Sequence, residues 1–308
     1  MNEHGMSIDG AFMQHYDPNG ETEVPKRRHA DANERQRRLG FVSGASLRLG
    51  RLFNRESGRS FIVAIDHGVT IGVPKGAEDA HKTVERIIAI EPDAILVGPG
   101  LLSQCGAMAA YRGAPSLILR ADWIINDPRL AALEQGEQYR VLCSPKHAVE
   151  LGAEAFMMFL ILGVHDGAMF ADNARALAVA AEEAHHVGLP LIVETVLWGS
   201  RIENAKDADL LAFGCRMAAE LGADAIKTEW TGDRESMARV IDGCPVPVLV
   251  LGGAKSETPG PVLDATRGAI DAGAKGVVYG RNVWQADDPE EIARQLRQII
   301  HGGVATAV

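Results

Sequence analysis

Cysteines, aromatic residues and long apolar runs are all scarce in this chain of 308 residues. The four cysteines form no CxxC pair, which argues against a disulfide framework or a zinc site and indicates reduced thiols in the cytoplasm. Aromatic residues make up 5% of the chain, too few for rows of base-stacking platforms. The longest apolar run, residues 155–164, is too short to cross a bilayer, and the polar N-terminus lacks the apolar core of a secretory signal.

Positive charge is also in deficit. The formal net charge is −10 at pH 7, which argues against nucleic acid or an anionic membrane surface as a partner. The sequence therefore predicts a cytoplasmic protein that acts on a small molecule. Residues 1–42 show no apolar periodicity, and we interpret them as an N-terminal extension that is flexible or contacts another subunit. Residues 43–308 then form a single catalytic domain.

After residue 60, short apolar segments alternate with longer amphipathic segments. Segments that are nearly continuous in Val, Ile, Leu and Ala are typical of strands buried on both faces of a parallel sheet. Eight segments have this character: 61–66, 94–97, 116–120, 155–160, 189–195, 225–228, 246–251 and 276–279. Eight strand–helix units favour an α/β fold of the (β/α)₈ TIM-barrel type, and no GxGxxG motif follows the first segment to indicate a dinucleotide fold.

Three junctions between a helix and a strand repeat one pattern. Each has a glycine two residues after an acidic residue at the end of the predicted helix, at Gly152, Gly222 and Gly273. We expect these glycines to adopt the left-handed conformation that ends a helix.

The carboxyl ends of barrel strands are where the active site is expected. Lys227 lies in the sixth predicted strand, and alternation places it on the same face as Ala225 and Glu229. A lysine buried in a strand is costly unless it is paired or used, and burial is one way in which an amine becomes a nucleophile. We therefore predict a catalytic role for Lys227. The alternative is an ion pair with Asp66 or Glu229 that closes the barrel.

Glycine turns follow the seventh and eighth predicted strands. Gly252 and Gly253 follow the seventh, and Gly280 precedes Arg281 after the eighth. These are the positions where barrels bind phosphate, because backbone N–H groups without a side chain can approach an anion closely. Arg281 could add a charge-assisted contact. The alternative is that the glycines serve turn geometry alone.

Four motifs resemble one known family. They are Ala64-Ile-Asp-His-Gly-Val, Glu220-Leu-Gly-Ala-Asp-Ala-Ile-Lys-Thr-Glu-Trp-Thr-Gly-Asp, Val248-Leu-Val-Leu-Gly-Gly-Ala-Lys and Gly280-Arg-Asn-Val-Trp-Gln. Together they resemble the archaeal-type class I fructose-bisphosphate aldolase family over roughly residues 45–303. They are also similar to two relatives of that family, the aminodideoxyheptulosonate synthases and the autoinducer-2-processing thiolases.

The resemblance implies a role for several residues. Lys227 would form the Schiff base, and Asp66 would orient substrate hydroxyls and handle protons. The whole predicted site comprises Lys227, Asp66 and Glu194 as catalytic residues, with His67, Arg120, Glu229, Gly252, Gly253, Gly280 and Arg281 contacting substrate or its phosphate. The resemblance also implies a homo-oligomer, a ring or decamer. We expect neither a metal nor a cofactor beyond the covalent imine.

One departure from the family concerns proton transfer. The aldolases and synthases carry a tyrosine acid/base in a Tyr-Pro-Arg-Gly run on the fifth strand, whereas Val196 stands at that position here. Glu194 has the same parity as Val196 and should also point into the barrel. We therefore predict that Glu194 replaces the tyrosine as general acid or base. The alternative is that Glu194 and Glu229 only compensate the charges of Lys227 and Arg120.

The leading hypothesis is a metal-independent, Schiff-base-forming class I aldolase, a carbon–carbon lyase or transferase, that acts on a phosphorylated ketose or keto-sugar. One alternative is a thiolase-like acyltransferase that uses the same lysine on a phosphorylated dione, with coenzyme A as co-substrate. The thiolase relatives also lack the tyrosine, which favours this reading. Another is a barrel that binds a sugar phosphate without catalysis. Turnover assays with and without coenzyme A distinguish the three hypotheses.

Overall fold

The fold is a closed barrel of parallel strands, as the sequence predicts. The computed structural model describes residues 43–124 and 137–302, so the predicted N-terminal extension lies outside the described residues. The barrel strands are β1 (Ser60–Ala64), β2 (Ala94–Val97), β3 (Ser116–Arg120), β6 (Ala155–Leu162), β7 (Leu191–Leu197), β8 (Ala225–Thr228), β9 (Val248–Leu251) and β10 (Gly276–Tyr279). They follow one another around the barrel in chain order, and β1 pairs with β10 to close it. The eight predicted strands are therefore confirmed.

Helices surround this barrel. They are α1 (Gly44–Arg51), α2 (Ala80–Ala89), α3 (Pro99–Cys105), α4 (Pro145–Glu150), α5 (Gly167–His186), α6 (Ala208–Glu220), α7 (Arg234–Asp242), α8 (Pro259–Asp271), α9 (Arg281–Trp284) and α10 (Pro289–His301). Short 3-10 helices span Asp66–Val69 and Gly106–Ala109. Within the described parts of the chain, no helix is both long enough and apolar enough to cross a membrane.

The interior of the barrel is apolar at its amino-terminal end. Side chains from the strands, including Ile62, Leu96 and Met157, form one buried cluster there. Leu49 and Leu52, from α1 and the residue that ends it, belong to the same cluster and close this end of the barrel. Polar chemistry is consequently confined to the carboxyl ends of the strands.

The three glycines that were predicted to end helices behave as expected. Gly152, Gly222 and Gly273 all have positive φ angles, of 84°, 104° and 107°. Asp288 caps α10 by accepting a hydrogen bond from the backbone N–H of Glu291, and Pro289 is the first helical residue.

Two features differ from the sequence prediction. Strand β1 ends at Ala64 and not at Asp66, because Asp66 begins a 3-10 helix. The segment after β3, expected to be a loop, continues into β4 (Asp122–Ile124), which pairs antiparallel with β5 (Tyr139–Val141). The buried Asp122 carboxylate accepts a hydrogen bond of 2.7 Å from the Phe159 N–H and so fastens this hairpin to β6. Strands of three residues are too short for a periodic pattern to reveal.

Gly276 is a position where the closed barrel requires glycine. Its φ is +136°, and a Cβ there would lie 1.9 Å from the carbonyl oxygen of Ser60 on the paired strand β1. We predict that Gly276→Ala lowers the free energy of unfolding by about 2 kcal/mol or more, because strained backbone and a steric clash add. Urea unfolding measures this. Gly260→Ala in α8, where nothing lies within 4 Å of the added methyl group, is the control. Equal stability of the two variants would contradict the prediction.

Candidate active site

Lys227 and Glu194 form a buried pair at the carboxyl end of the barrel. They are directly opposite in the ladder between β7 and β8. The Lys227 Nζ lies 2.8 Å from Glu194 Oε1, and each side chain is 8% exposed. Strand alternation therefore placed both residues correctly. Among the described residues, the ion-pair partner of Lys227 is Glu194, as the charge-compensation alternative expected, and not Asp66 or Glu229 as the other alternative expected.

Arg120 joins three carboxylates from different parts of the chain. Its Nε donates to Asp66 Oδ2 at 2.9 Å, and its Nη2 donates to Glu194 through a very short contact. Its Nη1 lies 3.5 Å from Asp122 Oδ1. The guanidinium also stacks on Phe159, with Cζ 3.8 Å from the ring centroid. Arg120 is fully buried and holds the carboxylates of Asp66 and Glu194 in place. Its contact with a substrate stays a prediction.

Asp66 and His67 lie at the end of β1 beside this cluster. Burial would raise the pKa of Asp66, but the positive charges of Arg120 and Lys227 outweigh burial and lower it. Burial lowers the pKa of His67, which favours the neutral ring. The His67 ring packs edge-on against Trp284 at a centroid distance of 5.5 Å, and its Nδ1 is buried without a hydrogen-bond partner among the described residues. Both predicted residues therefore lie in the same site as Lys227.

The two glycine turns are adjacent, as predicted. Arg281 Nη2 donates to the carbonyl oxygen of Gly253 at 3.1 Å. Asn282 ties the turns together by donating to the carbonyl oxygens of Gly252 at 2.7 Å and Ala254 at 3.0 Å. Sequence reasoning did not assign a role to Asn282, although its place directly after the glycine turn was a usable signal.

Gly280 has a packing role that the sequence does not reveal. A Cβ at Gly280 would lie 2.4 Å from His67 Cε1 and 2.9 Å from the carbonyl oxygen of Ala64. The glycine therefore lets the His67 ring approach the backbone of the turn after β10. This packing requirement accounts for the glycine, and its contact with a phosphate stays a prediction.

Glu229 lies beside the first glycine turn. It lines a cavity of about 610 Å³ with Lys206, Trp230 and the Gly252–Gly253 turn. Burial raises the pKa of Glu229 to about 7, although the positive charge of Lys206 acts to lower it. At neutral pH the Glu229 carboxyl is therefore partly protonated, and less negative charge lies where a phosphate is expected.

No metal site is evident among the described residues. Within residues 43–124 and 137–302, no group of three or more His, Cys, Asp and Glu side chains is arranged to hold a metal ion. The carboxylates of the site contact Arg120 and Lys227 instead. The expectation of metal-independent chemistry stays a prediction.

Comparison with known proteins identifies the family. Residues 60–286 match the family model described as DeoC/LacD family aldolase. The chain is 34% identical to the class 1 fructose-bisphosphate aldolase of Thermoproteus tenax, over 82% of this chain and 93% of the relative. It is 30% identical to the 2-amino-4,5-dihydroxy-6-oxo-7-(phosphonooxy)heptanoate synthase of Streptomyces griseus, over 83% of this chain and 90% of the relative.

A solved structure shares the same architecture. An archaeal fructose-1,6-bisphosphate aldolase, with its catalytic lysine covalently bound to the carbinolamine intermediate of the substrate, superimposes with a TM-score of 0.73. It is 30% identical and covers 83% of this chain and 99% of its own. The barrel described above is thus that of an aldolase fold. The chain belongs to the DeoC/LacD aldolase family.

The buried guanidinium of Arg120 makes a stability prediction possible. Arg120→Met should lower the free energy of unfolding by about 3–5 kcal/mol at pH 7, because Asp66 and Glu194 lose their fixed cation. The pKa of Asp66 is lowered in the folded protein, so its stabilising contribution is lost as the pH falls. The difference between the wild type and the variant, measured by urea unfolding, should therefore shrink as the pH is lowered below about 4, the ordinary pKa of an aspartate, towards the lower pKa of folded Asp66.

Arg51→Met is the matched control for this measurement. Arg51 pairs with Glu154 at 3.0 Å, but its side chain is 64% exposed. Such a pair contributes less than about 1 kcal/mol. An Arg120→Met protein as stable as Arg51→Met would contradict the assignment of Arg120 as the fixed cation of the site.

Proposed function

We propose that this protein is a Schiff-base-forming class I aldolase that cleaves or forms a carbon–carbon bond in a phosphorylated ketose or keto-sugar. The observation that carries the proposal is the buried contact of 2.8 Å between Lys227 Nζ and Glu194 Oε1. An amine and a carboxylate in direct contact can exchange the proton that nucleophilic attack requires. Supporting it, the archaeal aldolase with the same fold is described with its catalytic lysine bound to a carbinolamine.

The geometry accounts for imine formation. Lys227 transfers its proton to Glu194, and the free amine attacks the substrate carbonyl to give a carbinolamine. Glu194 returns the proton to the carbinolamine hydroxyl, which leaves as water and gives the iminium. Arg120 keeps Glu194 beside the reacting nitrogen while the charge on Lys227 changes.

The iminium then allows the bond to break. A carboxylate, Glu194 or Asp66, takes the proton of the hydroxyl on the carbon that departs, and the electrons of the carbon–carbon bond flow to the iminium nitrogen. The aldehyde product leaves and an enamine remains on Lys227. The same carboxylate protonates the enamine carbon, and water hydrolyses the resulting iminium to release the second product.

Unpartnered donors support a phosphate group on the substrate. Arg281 Nε is buried without a hydrogen-bond partner among the described residues, and it adjoins the Gly252–Gly253 turn through its contact with Gly253. The Nδ1 atom of the His67 ring lies close to Asp66 and is a second buried polar atom without a hydrogen-bond partner among the described residues. In this proposal the two glycine turns and Arg281 bind phosphate, and Asp66 with His67 orients substrate hydroxyls.

The competing hypotheses make different demands on the same site. A barrel that only binds a sugar phosphate has no need for an amine and a carboxylate held in contact inside it. The thiolase-like reaction would use the same pair and is distinguished by its requirement for coenzyme A. The homo-oligomer, the cytoplasmic location and the role of residues 1–42 stay predictions.

Lys227 is the residue to test first. Borohydride added with a keto-sugar phosphate should reduce the imine and leave a covalent adduct on Lys227, located by peptide mapping. Lys227→Met should abolish both the adduct and turnover while the barrel stays folded, because methionine fills a similar volume without a charge. Lys82→Met, which changes an exposed lysine with a 76% exposed side chain, is the control and should retain both.

Two outcomes would overturn the Schiff-base proposal. One is an adduct that maps to another lysine, and the other is a Lys227→Met protein that turns over at the wild-type rate. Parallel assays with and without coenzyme A show whether the reaction requires a thiol co-substrate, as the thiolase-like alternative does.

Glu194 provides the second test of the mechanism. Glu194→Gln should lower kcat by about 10²–10⁴-fold, the usual effect of removing a positioned acid/base. The adduct on Lys227 should still form on long incubation, because the nucleophile is unchanged. The control is Glu91→Gln, which alters a carboxylate with a 74% exposed side chain. A Glu194→Gln variant with wild-type kcat would return proton transfer to Asp66 or water.

A further inference from the structure

The buried cluster around Arg120 contains more acid than base. Three carboxylates, those of Asp66, Asp122 and Glu194, face the two cations Arg120 and Lys227. If all five groups were ionised, one negative charge would be left uncompensated inside the barrel. Such a charge is expensive to bury, so the cluster is expected to retain a proton.

The distances show which carboxylate is least compensated. Asp66 and Glu194 each accept a direct hydrogen bond from the Arg120 guanidinium. The bond to Asp66 is 2.9 Å long, and the contact with Glu194 is shorter. Asp122 is 3.5 Å from Nη1, and neither its Oδ1 nor that nitrogen has a hydrogen-bond partner among the described residues. Asp122 is also fully buried, whereas Asp66 and Glu194 border the substrate end of the barrel.

Among the described residues, the elements packed around Asp122 bring no further cation. Glu194 of β7 faces it as a like charge, and the Tyr139 hydroxyl of β5 lies beside it together with Asn173 of α5. On β6, the Phe159 N–H donates to Oδ2. Burial raises the pKa of Asp122 to about 7, although Arg120 and the Phe159 N–H act to lower it.

We infer that Asp122 is a positioning residue that carries a proton behind Arg120 and thereby leaves the cluster of Lys227, Glu194, Asp66 and Arg120 without net charge. As a neutral acid, Asp122 does not compete for the guanidinium, which stays directed at Asp66 and Glu194. If Asp122 ionised, a third carboxylate would compete for the Arg120 guanidinium and weaken its contact with Glu194. The kinetic consequence rests on the proposed function, but the protonation itself does not.

The test of protonation needs no substrate. Infrared spectra of the full chain should contain the C=O band of a neutral carboxylic acid at pH 6 that fades by pH 8.5. Asp122→Asn should remove its share of this band. Glu229→Gln should remove a separate share, since burial also raises the pKa of Glu229. Asp287→Asn, which alters an exposed carboxylate, should leave the band unchanged.

Stability provides a second readout. A carboxyl whose pKa is raised by folding stabilises the protein at low pH, and this contribution is lost as the pH rises through the folded-state pKa. The ratio of the unfolding constants of wild type and Asp122→Asn should therefore rise by about tenfold or more between pH 5 and pH 8. A band unaffected by Asp122→Asn, or a ratio independent of pH, overturns the inference.

A second variant covers the case in which Asp122→Asn does not fold. Tyr139→Phe replaces a polar hydroxyl beside Asp122 with an apolar edge, so the ionised carboxylate is less favoured and fading of the acid band should move to higher pH. An unmoved band overturns the inference. In turnover assays, Asp122→Asn should keep the wild-type kcat at pH 6 and lose less activity towards pH 8, with KM unchanged. An adduct that fails to form on Lys227 would instead refute the proposed function and leave the infrared result standing.

Discussion

The site depends on one buried guanidinium. Burial alone would lower the pKa of Arg120, but the surrounding carboxylates Glu194, Asp66 and Asp122 outweigh burial and raise it, so Arg120 stays charged. A permanent charge inside a barrel must be met by carboxylates at fixed positions. These carboxylates come from β7, the end of β1 and the hairpin strand β4, so the guanidinium couples three parts of the chain. The barrel supplies the rigid frame, because each of these residues follows or lies within a strand of fixed register.

The same interaction separates two roles that one carboxylate must perform. Glu194 uses one oxygen for Arg120 and the other for Lys227. The contact with Arg120 is permanent, whereas the charge on Lys227 must change during any reaction of its amine. In the proposed mechanism Glu194 keeps its position through this contact while protons are transferred, as a general acid/base requires.

Much of this arrangement was predictable from local patterns in the sequence. Apolar segments predicted the eight strands, and alternation placed Lys227 and Glu194 on the inward face. Glycines predicted the helix ends and the two adjacent turns. The pairing of Arg120 with Glu194 was foreseen only as an alternative. Its simultaneous pairing with Asp66 was not predicted, because Asp66 and Glu194 lie 54 and 74 residues away in the chain. Asp122 was missed for a related reason, since its hairpin has strands of three residues and its main contact is a single backbone N–H on β6.

The resemblance to aldolases that carry a tyrosine acid/base places Val196 at the position of that tyrosine, and a carboxylate in the same role has different electrostatic requirements. A phenol is neutral at pH 7 and can lie in an apolar barrel without a counter-ion, whereas a carboxylate cannot. An acid/base of the second kind therefore requires a cation that does not take part in the reaction. Arg120 provides that cation, and Glu194 lies between it and Lys227. In the proposed mechanism, proton transfer therefore falls to a charged group, Glu194, and the buried guanidinium is the counter-ion that such a group requires.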